Sequence, residues 1–404
     1  MTPWLEQYGR NLDSLGQFSA QTRWALVDEN ADLTLLDALA SRDQQQFFRH
    51  LKKFLTTVEG LQAIYHIGQD RKLHHCSKIA LAHPRLFKQL HVLELCRPKL
   101  YFNALFGALS SYAIAQALKM SSADIELAFL AGLYHDIGFL CYPLAIELNH
   151  PDDTYAHEPS LQAHPAVSAG MIRRFSRTPN TLSDIVKSHH ERSDGTGYPN
   201  RQHQEIHPIS SIVAITDIIL RASNEYGYYP CHNHQLTRSV LQLHNAAFPS
   251  DICNAAIALT KFKPDITEPP SNPPSADELI SQGRAITDCK NALDRALYLV
   301  LQHRATPQNN ALKQLQGQLH RAFQEAGINQ HEYDERLKQL AQQYTLELIN
   351  LNVLQNEICH QLGRLYTALQ DAMSQVTEHE KSLKRQVRDL LEGTELPRLV
   401  TPSA

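Results

Sequence analysis

The chain is predicted to be all-α, and three observations lead to that prediction. Apolar residues recur at three- and four-residue spacing through much of the sequence, as on the buried face of an amphipathic helix. No stretch of any length alternates apolar and polar residues, which would indicate a half-buried strand. Five prolines cluster at 264–274, where they separate two helical regions rather than interrupt one.

Length, composition and charge limit the classes of protein that the chain can be. Its 404 residues suffice for two or three domains, and 43% hydrophobic with 20% charged residues is ordinary for a globular protein. The formal net charge of −4 gives no overall basic field to hold DNA. The unusual number is 22 histidines, which directs attention to metal binding.

The sequence carries no sign of export or membrane insertion. Residues 1–7 lack the basic and apolar parts of a signal peptide, and no apolar run approaches the ~20 residues that span a bilayer. The seven cysteines lie far apart without a CxxC pair, which favours reduced thiols over a zinc ribbon or disulfides. We therefore expect a cytoplasmic protein.

Helical patterns divide the chain into regions. In the first region the helical spacing is clear at 36–40 and 47–55. The predicted regions are 1–95, helical and of unknown role; 96–263, the central helical domain; 264–275, a proline-rich linker; and 276–404, a helical region.

Near-heptad spacing of apolar residues marks the last region. It runs from Leu337 to Leu369 and drifts near Gly363. This pattern fits an antiparallel helical bundle and a dimerising coiled coil equally well, so both remain open.

Short motifs in the central domain carry the residue types of a metal site. Each is weak alone, because His-Asp, His-Pro and His-His pairs are common at helix ends and in loops. Together and in this order they are a strong signal. The motifs are His135-Asp136-Ile137-Gly138, His164-Pro165, His189-His190-Glu191-Arg192, Asp194-Gly195-Thr196-Gly197-Tyr198-Pro199, and Asp217.

The pair His135 and Asp136 is predicted to end a buried helix that starts at the capping segment Ser121-Ser122-Ala123-Asp124. Imidazole nitrogen and carboxylate oxygen are ligands of divalent transition metals. Because a carboxylate has two oxygens, Asp136 is the natural ligand to bridge two cations about 3.5–4 Å apart. Such a pair of cations activates water against a phosphodiester.

His189 and His190 need a helix end, since neighbours on a regular helix point about 100° apart and cannot easily share one metal. The turn residues at 194–197 supply that end, and their glycines permit a ligand to approach the backbone. Asp217 follows an apolar run, so its carboxylate is predicted to be buried and to need a partner or a metal.

The stretch 189–199 resembles the signature of the HD-GYP family, and 135–138 resembles the family's other hallmark. The resemblance covers roughly 96–263 and implies an all-helical HD-type domain with a two- or three-metal centre, usually of iron or manganese, that hydrolyses cyclic di-GMP. For this chain we expect one or two such ions. The resemblance carries the metal ligands over to His135, Asp136, His164, His189, His190 and Asp217. It also implies that His135 and Asp136 are catalytic residues. The substrate-binding residues that it implies are Arg192, Asp194, Gly195, Gly197 and Tyr198.

The chain also departs from the family pattern. Asn103 stands where the family has a histidine, and an amide oxygen is a poorer ligand than imidazole. Phe139 stands where the family has a lysine near the scissile phosphate, so one electrostatic contribution is missing. Residues 218–222 depart as well. We therefore predict a tight metal subsite of Asp136, His164, His189 and His190, and a loose one of Asn103, His135, Asp136 and Asp217.

Two functions remain open from the sequence. One is a cyclic di-GMP phosphodiesterase slowed by Asn103 and Phe139. The other is a degenerate module that binds cyclic di-GMP or a protein, such as a diguanylate cyclase (GGDEF) domain at the Gly-Tyr-Pro surface 197–199. A homodimer through the C-terminal helices is compatible with either. A third interpretation is hydrolysis of another nucleotide, since HD-type sites serve many phosphate substrates.

Overall fold

The computed structural model is helical as predicted, and the residues that it describes contain no strand. It describes residues 44–57, 70–142, 161–175, 180–193, 197–198, 206–226, parts of 238–249, 250–259, 274–303, 308–328, 333–343, 345–374, 381–392 and 397. The helical pattern expected at 36–40 and the linker up to residue 273 lie outside these residues. None of the described helices is both long and apolar enough to span a bilayer.

A first group of helices surrounds the predicted motifs. It consists of α1 (Gln44–Thr57), α2 (Asp70–Leu81), α3 (Pro84–Cys96), α4 (Pro98–Ala117), α5 (Ser122–Tyr134), α6 (His164–Phe175), α7 (Asn180–Lys187), α8 (Pro208–Tyr226) and α9 (Ser250–Leu259), with short 3-10 turns at Ile137–Cys141 and Leu161–Ala163. Their apolar side chains form one hydrophobic core.

Helices α4 and α5 form a tightly packed hairpin at the centre of this group. The α5 helix begins as predicted, because the Ser121 hydroxyl accepts a hydrogen bond from the Asp124 N–H at 3.2 Å. Gly107 and Gly132 bring the two backbones into contact: a Cβ atom on Gly132 would lie 2.4 Å from the Gly107 carbonyl oxygen. Larger residues at these positions would force the helices apart.

Helix α8 packs on both members of this hairpin. Asn103 lies on α4, His135 directly follows α5, and Asp217 lies on α8. These three helices therefore contact one another, although the residues are far apart in sequence. The 3-10 turn after Asp136 packs on α6, and α6 packs on α7. The chain thus brings all the predicted metal-binding motifs to one region of the first helical group.

A second group of helices forms a bundle with its own hydrophobic core. It consists of α10 (Ala276–His303), α11 (Gln308–Ala326), α12 (Tyr333–Gln343), α13 (Thr345–Ser374) and α14 (Lys381–Glu392). Helix α13 packs on the other four helices. This is the helical-bundle alternative of the sequence analysis, formed within one chain, and dimerisation stays a prediction.

Helix α13 also joins the two groups. Ile349 and Val353 belong to the core of the first group, whereas Ile358, Leu362 and Leu365 belong to the core of the bundle. These two sets lie on opposite sides of the helix, as expected for 3.6 residues per turn. The bundle therefore packs on the first group of helices through one face of α13.

Candidate metal centre

His135 and Asp136 leave α5 at its C-terminal end, as predicted. Helix α5 ends at Tyr134, His135 is its C-cap, and Asp136 precedes the 3-10 turn. The His135 side chain is 2% exposed and that of Asp136 is 10% exposed. The Asp136 Oδ2 atom lies 3.2 Å from the Nε2 atom of His135. The helix end thus turns both adjacent side chains into one buried space.

Gly138 brings this helix end against the start of α6. The Gly138 N–H donates to the Ser168 hydroxyl at 2.8 Å, and a Cβ atom on Gly138 would lie 2.7 Å from the His164 carbonyl oxygen. His164 is the first residue of α6 and is 1% exposed. Its Nε2 atom lies 3.2 Å from the Oδ1 atom of Asp136. A glycine is required here because a side chain would separate these two groups.

His189 and His190 lie in a turn after α7, which confirms the predicted helix end. The chain then returns over this turn: the Tyr198 N–H donates to the His190 carbonyl at 3.1 Å, and a Cβ atom on Gly197 would lie 2.3 Å from that same oxygen. The His189 Nε2 atom lies 3.9 Å from Asp136 Oδ1. The His190 Nε2 atom lies 3.2 Å from His164 Nε2.

Backbone carbonyl groups orient three of the imidazoles in the same way. The Nδ1 atoms of His135, His164 and His189 lie 2.9, 2.7 and 2.6 Å from the carbonyl oxygens of Gly132, Leu161 and Val186, each three residues earlier. Because a carbonyl only accepts, Nδ1 carries the proton in each of these hydrogen bonds. The lone pair of a neutral ring is then on Nε2, which faces Asp136.

Burial and charge separate the histidines into two kinds. Burial and the neighbouring imidazoles hold the pKa of His189 and His190 well below the ordinary value, so both rings are neutral. Burial lowers the pKa of His135 too, but the Asp136 carboxylate outweighs it and raises this pKa to about 9. Burial raises the pKa of Asp136, but His135 and His164 bring it well below its ordinary value. The carboxylate is therefore ionised.

These groups fit a divalent cation. One ligand atom from each of Asp136, His164, His189 and His190 lies within 4.8 Å of all the others. The His189 Nε2 atom is fully buried and has no hydrogen-bond partner among the residues described, although buried polar atoms normally have one. Three imidazoles and a carboxylate form a common donor set for transition metals, and a cation among them would satisfy the Nε2 lone pairs.

Asp217 and Asn103 lie at the side of this cluster. The Asp217 Oδ2 atom lies 4.0 Å from His190 Nε2, and the side chain is 30% exposed, more than the apolar run before it predicts. Asn103 is buried, and its Oδ1 atom has no hydrogen-bond partner within the described part of the chain. Asn103 lies one turn before Gly107 on α4. A Cβ atom on Gly107 would lie 3.4 Å from the His135 ring.

Two aromatic rings line the cluster. The Phe139 ring stacks on His164 with ring centroids 4.4 Å apart, and the Tyr198 ring stacks on His190 with centroids 4.5 Å apart. Phe139 is 2% exposed. The sequence identified Phe139 as a missing charge but not as a packing partner of a predicted ligand.

The predicted substrate residues are placed only in part. Asp194 and Gly195 lie outside the described residues, whereas Gly197 and Tyr198 lie over the histidine turn. Arg192 donates to the carbonyl groups of His189 and Glu191 at 3.2 and 2.9 Å, and its guanidinium lies 4.7 Å from the Phe248 ring centroid. Arg192 therefore holds the turn in place, and contact with substrate remains a prediction for this group of residues.

Part of the chain is similar to known proteins. Residues 75–246 match the HD domain family. The chain is 32% identical over 144 residues to a cyclic di-GMP phosphodiesterase of Pseudomonas aeruginosa, covering 35% of this chain and 34% of the relative. It is 27% identical over 155 residues to a cyclic di-GMP phosphodiesterase of Vibrio cholerae, covering 37% and 31%. It is 32% identical over 163 residues to a 3'3'-cGAMP-specific phosphodiesterase of the same organism, covering 39% and 35%.

The all-helical fold, the buried His/Asp cluster and the match at 75–246 define a protein with an HD-type domain. The match and the relatives together support assignment of this domain to the HD-GYP family. The chain spans about a third of the length of the curated relatives that it matches.

Proposed function

We propose that the central domain is a metal-dependent phosphodiesterase that hydrolyses cyclic di-GMP. The observation that carries this proposal is that one ligand atom from each of four residues lies within 4.8 Å of all the others. These residues are Asp136, His164, His189 and His190. The names of two relatives support cyclic di-GMP as the substrate, and a third relative is named for 3'3'-cGAMP. A cyclic dinucleotide is therefore the substrate class with the most support.

The proposed cofactor is iron or manganese, one or two ions per chain. Asp136, His164, His189 and His190 would hold the tight ion, and Asp136, His135 and Asp217 with Asn103 would hold the loose one. Bound divalent ions would supply an activated water and polarise a phosphate oxygen. A weaker second subsite is expected because an amide oxygen replaces an imidazole.

The side chains of the domain contribute orientation and shielding. The carbonyl groups three residues earlier keep the Nε2 atoms of His135, His164 and His189 directed at Asp136. Phe139 and Tyr198 cover the faces of two imidazoles, which limits access of water to these rings. Ligands fixed in this way need little rearrangement when the site is loaded.

The second candidate function is a degenerate module that binds cyclic di-GMP or a protein without catalysis. Asn103 and Phe139 favour it, because each replaces a group that would contribute to catalysis. The half-buried Tyr198 stacks on His190, so a GGDEF domain docked on this surface would cover the metal site. The proposed homodimer through the C-terminal helices is checked separately by light scattering.

The test is hydrolysis of cyclic di-GMP by purified protein loaded with manganese, or with iron(II) under anaerobic conditions. The negative control is the double variant His135→Ala/Asp136→Ala. The matched control is His320→Ala, which removes an exposed histidine from the C-terminal bundle. We expect turnover by the wild type and by His320→Ala, and none by the double variant. Turnover equal to that of the double variant would reject the enzyme, and cyclic di-GMP binding without turnover would support the second function.

A further inference from the structure

A groove lies between helices α10 and α11 of the C-terminal bundle. Both helices pack on α13 and contact each other only weakly, so they separate at this surface. The groove has a volume of about 450 Å³, which is within the range of small-molecule sites. Its lining includes Lys290 and Asp294 of α10 and Lys313, Gln316, Gly317 and Arg321 of α11. None of these residues belongs to the predicted metal site.

Asp294 connects the two walls of the groove. Its Oδ2 atom lies 2.7 Å from the Nζ atom of Lys290, and its Oδ1 atom accepts a hydrogen bond from the Gln316 side chain at 2.8 Å. The Lys290 Nζ atom also lies 5.3 Å from the ring centroid of Phe323. The charges of Lys290 and Asp294 therefore compensate each other inside the groove.

Lys313 and Arg321 give the groove an excess of positive charge. Both side chains are exposed, and neither has an ion-pair or hydrogen-bond partner among the residues that the structure describes. Gly317 lies one turn after Lys313 and one turn before Arg321 on the same face of α11. A Cβ atom on Gly317 would lie 3.8 Å from the Nη1 atom of Arg321, so the guanidinium folds back over the glycine. Two uncompensated cations thus flank one glycine.

Gly317 leaves the floor of the groove open between these two cations. Glycine destabilises the interior of a helix relative to alanine. Outside its own stretch of helix backbone, the Nη1 atom of Arg321 is the only described atom within 4 Å of the place that its Cβ atom would take. Packing within the described part of the chain therefore does not require a glycine here. The open position lets an anion approach the helix backbone closely.

Tyr298 adds an exposed aromatic ring at one end of the groove. It is 62% exposed and is the only exposed large hydrophobic residue in the part of the chain that the structure describes. It follows Asp294 by one turn on α10 and so lies on the same face as the groove. Helices α10 and α11 are joined by a short connection and run antiparallel. Tyr298, one turn after Asp294, therefore lies near the level of Lys313, one turn before Gln316.

We propose that this groove is a binding site for a nucleoside monophosphate, with the phosphate between Lys313 and Arg321 and the base on the Tyr298 ring. Ammonium and guanidinium groups bind phosphate through charge-assisted hydrogen bonds. An aromatic ring stacks on any nucleobase, because every base has a π face. A phosphate without a ring system would leave Tyr298 without a role. The site is separate from the metal centre, so it does not depend on the proposed function.

The test measures binding of AMP to the full chain by calorimetry. AMP is neither the substrate nor a product of the proposed hydrolysis. We expect Lys313→Gln/Arg321→Gln to weaken AMP binding at least about tenfold, because it removes both charged donors. The matched control Arg336→Gln/Arg385→Gln removes two exposed charges from α12 and α14 of the same bundle and should bind AMP like the wild type.

Two further variants test the ring and the glycine. Tyr298→Ala should weaken AMP binding about five- to a hundredfold and leave binding of inorganic phosphate unchanged, whereas Tyr298→Phe should retain AMP. Gly317→Leu places a side chain on the floor between the two cations. It should weaken binding of both AMP and inorganic phosphate without lowering the melting temperature, since leucine favours a helix more than glycine does.

The variant His135→Ala/Asp136→Ala distinguishes this groove from the metal centre and should bind AMP as tightly as the wild type. Loss of AMP binding in that variant would overturn the proposal. So would equal weakening by Arg336→Gln/Arg385→Gln and by Lys313→Gln/Arg321→Gln, because the attraction would then be non-specific. Inorganic phosphate binding as tightly as AMP would overturn a nucleotide as the ligand. A wild type that does not bind millimolar AMP would overturn the site altogether.

Discussion

Gly132 of α5 and Gly107 of α4 approach so closely that neither position has room for a side chain. A Cβ atom on Gly132 would lie 2.4 Å from the Gly107 carbonyl oxygen, and one on Gly107 would lie 2.9 Å from that of Gly132. The Gly132 carbonyl also accepts the Nδ1–H of His135 at 2.9 Å. One backbone contact thus sets the spacing of two helices and the orientation of a predicted ligand.

The first prediction concerns Gly132→Ala. The added methyl group meets backbone atoms, which cannot rotate away, so we expect the free energy of unfolding to fall by about 2–3 kcal/mol. Urea denaturation measures this change. The control is Gly170→Ala on α6, where no atom lies within 4 Å of the added group. That variant should gain up to about 1 kcal/mol from helix propensity, and equal stability of the two variants would contradict the prediction.

The second prediction concerns the two metal subsites. His190→Ala removes a ligand of the tight subsite, so the purified protein should lose its stoichiometric transition metal. Asp217→Asn removes only a ligand of the loose subsite, so the tight ion should remain while any second ion is lost. Elemental analysis of protein purified without chelators measures both. The same metal loss in Asp217→Asn as in His190→Ala would contradict a division into subsites.

Local sequence signals predicted the ends of helices and the residues that meet at the site. Ser121 and Asp124 mark the start of α5, because an N-cap depends on residues close in the chain, and α7 ends at Lys187, shortly before His189 and His190. Five of the other six predicted metal ligands lie near Asp136 or near one of its neighbours. Asn103 is buried one turn before Gly107 on α4.

Long-range packing could not be predicted in this way. Arg221 and Glu357 are 136 positions apart, and nothing near either residue in the sequence indicates the other. The stacking of Phe139 on His164 depends on how the 3-10 turn packs against α6, which Gly138 determines. Asp217 is more exposed than its apolar neighbours predict, because it lies where the site opens.

The third prediction concerns the hydrogen bond between Gly138 and Ser168. Ser168 is fully buried, so Ser168→Ala leaves the Gly138 N–H without its acceptor and should cost about 1–3 kcal/mol of stability. Because this contact holds Asp136 near His164, affinity for the tight metal should fall as well. The matched control is Ser111→Ala, since the buried Ser111 hydroxyl has no hydrogen-bond partner among the described residues. Chemical denaturation and metal titration should leave that control at or above wild-type values.

The last prediction concerns the pH dependence of the contact between α13 and α8. Burial raises the pKa of Glu357, but Arg221 and His244 bring it well below its ordinary value of 4.5, so its stabilisation is present above pH 4.5 and lost as the pH falls further. Burial lowers the pKa of His244 below 6.5, so protonation disfavours the folded state as the pH falls below 6.5. Both effects have the same sign, and unfolding measured between pH 8 and pH 4 should show stability declining with acid.

Glu357→Gln should lose about 3 kcal/mol at pH 7, because Arg221 keeps its charge without a partner carboxylate in this buried contact. The control is Glu335→Gln, which breaks an exposed pair with Lys338 and should follow the wild-type pH profile. A Glu357→Gln profile identical to that of the wild type would exclude the contact of Glu357 with Arg221 and His244 as the source of acid sensitivity.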